Sequence, residues 1–134
     1  MEPARTSRIL QAMYRKTGLV KDNRFLLHGN DWTQPEAPER LKAVHKMLEA
    51  PDMLGRFFEI PARFASQEEL ERVHGLSYIE RIARTQGQIR VSLDPDTDAS
   101  ADTYDVARLA AGSLCHAIDQ VMAGRLDNAF ALVR

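Results

Sequence analysis

A helical stripe that runs from Ser100 toward Gly124 and leads directly into the apolar run Ala129-Phe130-Ala131-Leu132-Val133 constrains the fold of this chain more than any other feature. Ser100 suits an N-cap, and Asp102 puts negative charge at the positive end of the helix dipole. Ala107, Ala110, Ala111, Leu114, Ile118, Val121 and Met122 form one stripe, and Gly124 can close the helix in a left-handed conformation. Gly112, inside the helix, costs about 1 kcal/mol relative to alanine, which is tolerable where it lets another backbone approach closely. After a turn at 125–128, the unbroken apolar run has the pattern of a strand covered on both faces. Helix followed by such a strand reads as the middle of an α/β repeat.

Upstream, residues 17–20 and 25–28 are short apolar runs around the polar Lys21-Asp22-Asn23-Arg24, the pattern of strand, turn and strand or of one bent strand. Turn formers around the single Trp32 lead to Pro38 in the first turn of a helix, with Leu41, Val44, Met47 and Leu48 on one face and Pro51 limiting its length. Residues 56–60 read as a short strand ended by Pro61. Ser66-Gln67-Glu68-Glu69 has a capping-box pattern for a helix through Val73. Ser77-Tyr78-Ile79-Glu80 repeats it after Gly75, so two short helices meet near His74.

The 134 residues fit one domain, and 44% hydrophobic with 28% charged residues is a globular composition. A net charge of -1 offers no general attraction to phosphate backbones or anionic bilayers, so neither direct nucleic-acid binding nor membrane binding is expected. Residues 1–16 mix Arg5, Arg8, Arg15 and Lys16 with short apolar runs and read as an N-terminal extension without a signal peptide, which makes a cytoplasmic location the default. The only cysteine, Cys115, cannot form an internal disulfide and lies at a packed helical position. His28, His45, His74 and His116 are dispersed, without metal-ligand spacing. Asp94, Asp96 and Asp98 occupy the first, third and fifth positions of a calcium loop, but Ala99 and Asp105 stand where glycine and a bidentate glutamate are needed.

Several stretches point further. Gly18-Leu19-Val20, Phe25-Leu26-Leu27-His28, Pro35-Glu36-Ala37-Pro38-Glu39-Arg40-Leu41, Val73-His74 with Tyr78-Ile79, Leu93-Asp94-Pro95-Asp96-Thr97 and Asp127-Asn128-Ala129-Phe130-Ala131-Leu132-Val133-Arg134 follow one another in this order. Together they resemble the histone deacetylase family, especially its bacterial members similar to the class II enzymes and the acetoin-utilisation proteins. The resemblance covers nearly everything after Lys16. It implies a three-layer α/β/α, arginase-like domain with a mainly parallel central sheet, of which residues 17–134 are the N-terminal part. It also implies hydrolysis of acetyl-lysine or a similar acyl amide by zinc-activated water, with histidines as acid and base and a tyrosine at the oxyanion. The family's Pro-Pro-Gly-His-His run follows the strand that ends here at Val133-Arg134, and its zinc ligands and tyrosine lie further on. No catalytic or metal residue is therefore assigned within the chain, which is expected to hold no zinc alone and to be inactive without a C-terminal part.

Two positions carry over by resemblance. Asp94 resembles the family's rim aspartate, which accepts hydrogen bonds from the backbone of a bound acyl-lysine peptide; Asp96 in that place, or a merely solvated acidic loop, are the alternatives. Arg40 resembles the arginine of the internal cavity beneath the active site, the alternative being a surface ion pair with Glu36 or Glu39. Gln34 and Ala37 depart from the family's usual histidine and arginine-like residue. The expected substrate of the complete enzyme is an acetylated lysine protein or a small acyl amide. A competing reading is a short non-catalytic binding protein that offers the edge of an incomplete sheet to a partner. Because the strand at 130–133 expects neighbours, the isolated chain is expected to aggregate or remain molten.

Overall fold

The computed structural model describes residues 15–29 and 36–134. Most of the N-terminal extension and the turn around Trp32 and Gln34 lie outside the described residues. In chain order the elements are β1 (Thr17–Lys21), a 3-10 turn (Asn23–Leu26), α1 (Pro38–Leu48), β2 (Phe58–Glu59), α2 (Gln67–Glu71), α3 (Leu76–Ala83), β3 (Val91–Asp94), β4 (Thr97–Ala99), α4 (Thr103–Met122) and β5 (Asn128–Leu132). Strands β2, β1 and β5 form a sheet in that order, with both pairings parallel, and β3 with β4 forms a separate antiparallel hairpin. The expected α/β class with a mainly parallel sheet is the observed one.

Strand β1 runs beside β5 from Thr17 opposite Asn128 to Lys21 opposite Leu132. Alternation puts Gly18 and Val20 on the face shared with Ala129 and Ala131. There Leu126 and Ile60 sit so close over Gly18 that a Cβ would collide with both side chains. On the other face Lys21 reaches Glu49, just past α1, at 3.4 Å. Lys16 extends the pairing, its N–H donating to the Asp127 carboxylate at 2.6 Å, so the junction of β1 and β5 reaches into the stretch read as an extension.

The run 25–28 is not a strand. Asp22 accepts the N–H of Arg24 at 2.8 Å and caps a 3-10 turn, a local carboxylate-to-backbone bond that competes successfully with sheet pairing. Phe25 is thereby turned into the core and fully buried, and its turn packs against both α1 and α4.

Helix α4 corrects two sequence expectations. It starts at Thr103 after Asp102, whereas Ser100 serves the chain around it: its Oγ accepts the N–H of Gly29 at 3.0 Å, and its own N–H donates to Thr103 Oγ1 at 2.7 Å. The buried face is Val106, Leu109, Gly112, Ser113 and Ala117, one residue round from the expected stripe, so that Leu114, Ile118 and Met122 stay exposed. Sequence spacing could not choose between them because the helix is apolar on both sides. The expectation for Gly112 holds: residues 63–65 cross the helix so closely that a Cβ there would overlap their backbone. Ala65 N–H donates to Arg108 O at 2.9 Å, and Arg63 N–H to Ser113 Oγ at 3.2 Å. Gly124 closes the helix with φ 68°, as expected.

The capping box at Ser66 forms, with Glu69 N–H donating to Ser66 Oγ and Ser66 N–H to the Glu69 carboxylate. Arg63 grips the same carboxylate with two N–H groups and, with the capping bonds, holds its pKa down at about 2. Helix α2 stops at Glu71, short of Val73, and Gly75, not Ser77, caps α3.

On α1 the buried residues are Leu41 and His45, while Met47, expected on the apolar face, is exposed. His45 Nε2 is buried without a hydrogen-bond partner. Burial, followed by the charge of Lys21, lowers the pKa of His45 below 6.5; Glu49 and Asp22 oppose the shift. The unfolded histidine therefore takes up a proton first as pH falls, so stability is greatest above pH 6.5 and declines below it. His45→Leu is expected to flatten this decline below about pH 6.5 and to add about 1 kcal/mol near pH 6 by removing the orphaned nitrogen. Thermal unfolding across that range, in a chain extended through the coding sequence downstream, checks it.

Candidate functional site

Ligand sites of open α/β sheets gather at the carboxyl ends of the strands. Here β1 and β5 end side by side at Lys21 and Leu132, and the segments leaving that edge carry Asp22 to Gly29 and Val133-Arg134. The Arg134 side chain is only 2% exposed. Its Nε and Nη2 donate to the two carboxylate oxygens of Glu36 at 2.6 and 2.8 Å, and its Nη1 donates to the carbonyl of His28 at 2.6 Å. Such a fork over a carboxylate is the strongest geometry open to an arginine.

The neighbouring peptide continues the network. The His28 ring nitrogen Nδ1 shares a hydrogen bond with Thr103 Oγ1 at 2.8 Å, and Thr103 Oγ1 accepts the N–H of Ser100. Burial, then the charge of Arg134, lowers the pKa of His28, so its ring is held neutral, with Glu36 partly offsetting the shift. Ser100 directly follows β4, so these bonds fasten the root of the β3–β4 hairpin to the carboxyl edge of the sheet.

At the hairpin tip Asp94 accepts the N–H of Asp96 at 3.1 Å, and hydrogen bonds from the Thr97 side chain, then from Asp96, lower its pKa. Asp94 is exposed and ionised, able to accept from a ligand. Asp96 is exposed beside it, and Asp98 is paired with Arg90 at 2.6 Å. The tight antiparallel turn at 94–97 leaves no calcium-loop wrap. Arg40 lies on the solvent side of α1, reaching Glu36 at 3.4 Å. Thus Glu36 meets both Arg134 and Arg40, and of the two guanidiniums it is that of Arg134 that is buried.

The remaining histidines have local structural partners or burial. His116 Nδ1 donates to Pro61 O and its Nε2 accepts from Gln120, while His74 packs on Tyr78. Cys115 is half-buried. Among the described residues no group of three or more His, Cys, Asp or Glu is placed to hold a metal ion. A cleft of about 390 Å³ beside β1 and β2 is lined by Leu19, Lys21, Asp22, Asn23, Phe57 and Glu59. Of its charges, Lys21 and Asp22 are engaged by Glu49 and Arg24, Glu59 is exposed to solvent, and the cleft does not reach Asp94 or Arg134. No helix of the described residues is long and apolar enough to cross a membrane.

A profile of the histone deacetylase domain matches residues 34–134. The chain belongs to the histone deacetylase family. The histone deacetylase-like amidohydrolase of Pseudomonas aeruginosa is 32% identical to it over 139 residues, covering 91% of this chain and 37% of that protein. The human polyamine deacetylase is 36% identical over 113 residues, covering 77% of this chain and 17% of that protein. In solved structures, the HD domain of HDA15 superposes with a TM-score of 0.81 at 31% identity, covering 89% of this chain and 35% of that one. The chain thus spans little more than a third of these bacterial and structural relatives. Histone deacetylase membership accounts for the parallel sheet and for its order of elements. The Arg134-Glu36-His28 network went unread in the sequence although all three residues stand in the stretches that carry the resemblance. Ninety-eight positions separate Arg134 from Glu36, and no local spacing rule links them.

Proposed function

We propose that this chain is the N-terminal part of a zinc-dependent deacetylase that hydrolyses acetyl-lysine or a similar acyl amide, and that it is inactive alone. The observation that carries the reading is the fastening of the Asp94 hairpin to the carboxyl edge of a histone deacetylase sheet. Relatives named for histone and for polyamine deacetylation favour an acylated amine as the substrate class. Under this reading the ligands that hold zinc and activate water belong to the part of the domain that this chain does not span. The chain's own contribution is positioning: Asp94 presents a carboxylate to the substrate backbone, and Arg40, which is exposed here and reaches Glu36, lines the internal cavity of the complete domain under this reading.

The test is zinc content and turnover of a fluorogenic acetyl-lysine peptide, comparing the 134-residue chain with one extended through the coding sequence downstream. Only the extended chain is expected to bind zinc and turn over; turnover by the short chain would sink the reading. In the active form Asp94→Ala is expected to raise KM about tenfold with kcat little changed, the loss of a charge-assisted hydrogen bond to bound substrate. If Asp96→Ala carries that effect and Asp94→Ala does not, the rim role passes to Asp96.

A second reading, an interaction module, is favoured by one observation: Leu114, Ile118 and Met122 form an exposed apolar row on α4, and Phe130 on β5 is 59% exposed. Under the first reading the C-terminal part of the domain covers these surfaces; under the second an unrelated partner does. Failure of the extended chain to turn over, with tight association of the short chain with another protein, would favour the second.

A further inference from the structure

We infer that Arg134 is a positioning residue, which sets the β3–β4 hairpin through the single peptide unit between His28 and Gly29. The carbonyl of that unit accepts from Arg134 Nη1 at 2.6 Å, and its N–H donates to Ser100 Oγ at 3.0 Å. A peptide unit is planar and rigid, so tilting it to lose one bond misdirects the other. The end of β5 and the root of the hairpin therefore hold opposite edges of one planar unit. The second grip runs through the His28 ring to Thr103 Oγ1, which also holds the N–H of Ser100. Glu36 fixes the guanidinium with two bonds, and the side chain is almost wholly buried, so Arg134 has little freedom to shift without breaking them.

The hairpin has another tether, from Arg81 Nη2 to Leu93 O at 2.8 Å on the β3 side. Loss of the Arg134 grip would consequently let the hairpin swing about that tether and leave it attached. Asp94 would be misplaced and the fold retained. The coupling rests on geometry alone; its meaning for substrate rests on the rim role proposed above for Asp94.

Hydrogen exchange in a chain extended through the coding sequence downstream tests the coupling, comparing Arg134→Gln, Arg134→Lys, Ser100→Ala and the Arg134→Gln/Ser100→Ala double variant. Arg134→Gln is expected to speed exchange of the Gly29 amide about tenfold and of the β3–β4 ladder amides severalfold, with Arg134→Lys in between. The double variant is expected to exchange at the hairpin no faster than the faster single variant, because both changes cut one path. Unchanged hairpin exchange despite a lowered thermal midpoint, or independent multiplication of the two effects, would overturn the inference and leave Arg134 a local anchor of β5. Glu36→Gln, which keeps the size of the partner, gives the same readout if the Arg134 variants fail to fold. In an extended chain that turns over, Arg134→Lys should raise KM severalfold with kcat within about twofold. Should the extended chain be inactive, the deacetylase reading falls while the exchange data still decide the coupling.

Discussion

Gly112→Ala is expected to lower the stability of the chain by about 3 kcal/mol, although alanine is the better helix former by about 1 kcal/mol. The sign is set by what the new methyl group meets. At Gly112 the neighbours are the backbone atoms of residues 63–65, which cannot rotate away as a side-chain tip could. The strap must lift, which puts at risk the bonds from Ala65 to Arg108 and from Arg63 to buried Ser113, each contributing roughly 1 kcal/mol. It also disturbs the Arg63-Glu69 fork that continues into the cap of α2. Gly75→Ala is the matched control: its φ is -67°, nothing crowds its Cβ direction, and a change below about 1 kcal/mol is expected. Urea unfolding of the two variants against the parent, each in a chain extended through the coding sequence downstream, makes the comparison. Equal stability of Gly112→Ala and parent would show that the strap is not seated on the helix.

That prediction was half legible in the sequence. An interior glycine in a strongly periodic helix signals close approach of something, but not of what, and the strap lies some fifty residues upstream. The same division recurs across the fold. Local chemistry could be read directly where partners are near in sequence, as in the Ser66 capping box and the Gly124 helix end. It failed where a distant group claimed a residue that looked locally committed. Ser100 looks like an N-cap until Gly29 takes its hydroxyl. The stripe of α4 looks single until the sheet selects Val106, Leu109 and Ala117 over Leu114 and Ile118. An α4 apolar on two sides can lay only one of them on this sheet, and the other stays exposed. In the candidate site, Asp94 and Arg40 could be named from resemblance, whereas the burial of Arg134 depends on a sheet register and a loop that no local pattern encodes.

Phe25→Ala should be the most damaging single truncation in the chain, with an expected loss of about 4 kcal/mol. Phe25 is fully buried in the principal core cluster, held there by a 3-10 turn that packs on both α1 and α4. Removing the ring costs its transfer free energy and leaves a cavity bounded by two helices and a sheet, which cannot all close on it together. The turn itself is pinned by Asp22 at its start, so it cannot slide inward to fill the space. A loss of this size is a large share of the roughly 5 to 15 kcal/mol that holds a typical domain folded. Phe25→Leu, which restores most of the volume, should recover more than half of it. Denaturant midpoints of the extended chain decide the matter: a falling midpoint at constant slope reports lost packing, and a falling slope reports a loosened native state. Because His28 and Gly29 follow this turn within four residues, the second outcome would also free the peptide unit between Arg134 and Ser100. The packing of one aromatic ring would then be a condition for the geometry of the candidate site. Equal stability of the alanine and leucine variants would instead mean that the turn, and not the ring, is what seats this edge of the sheet.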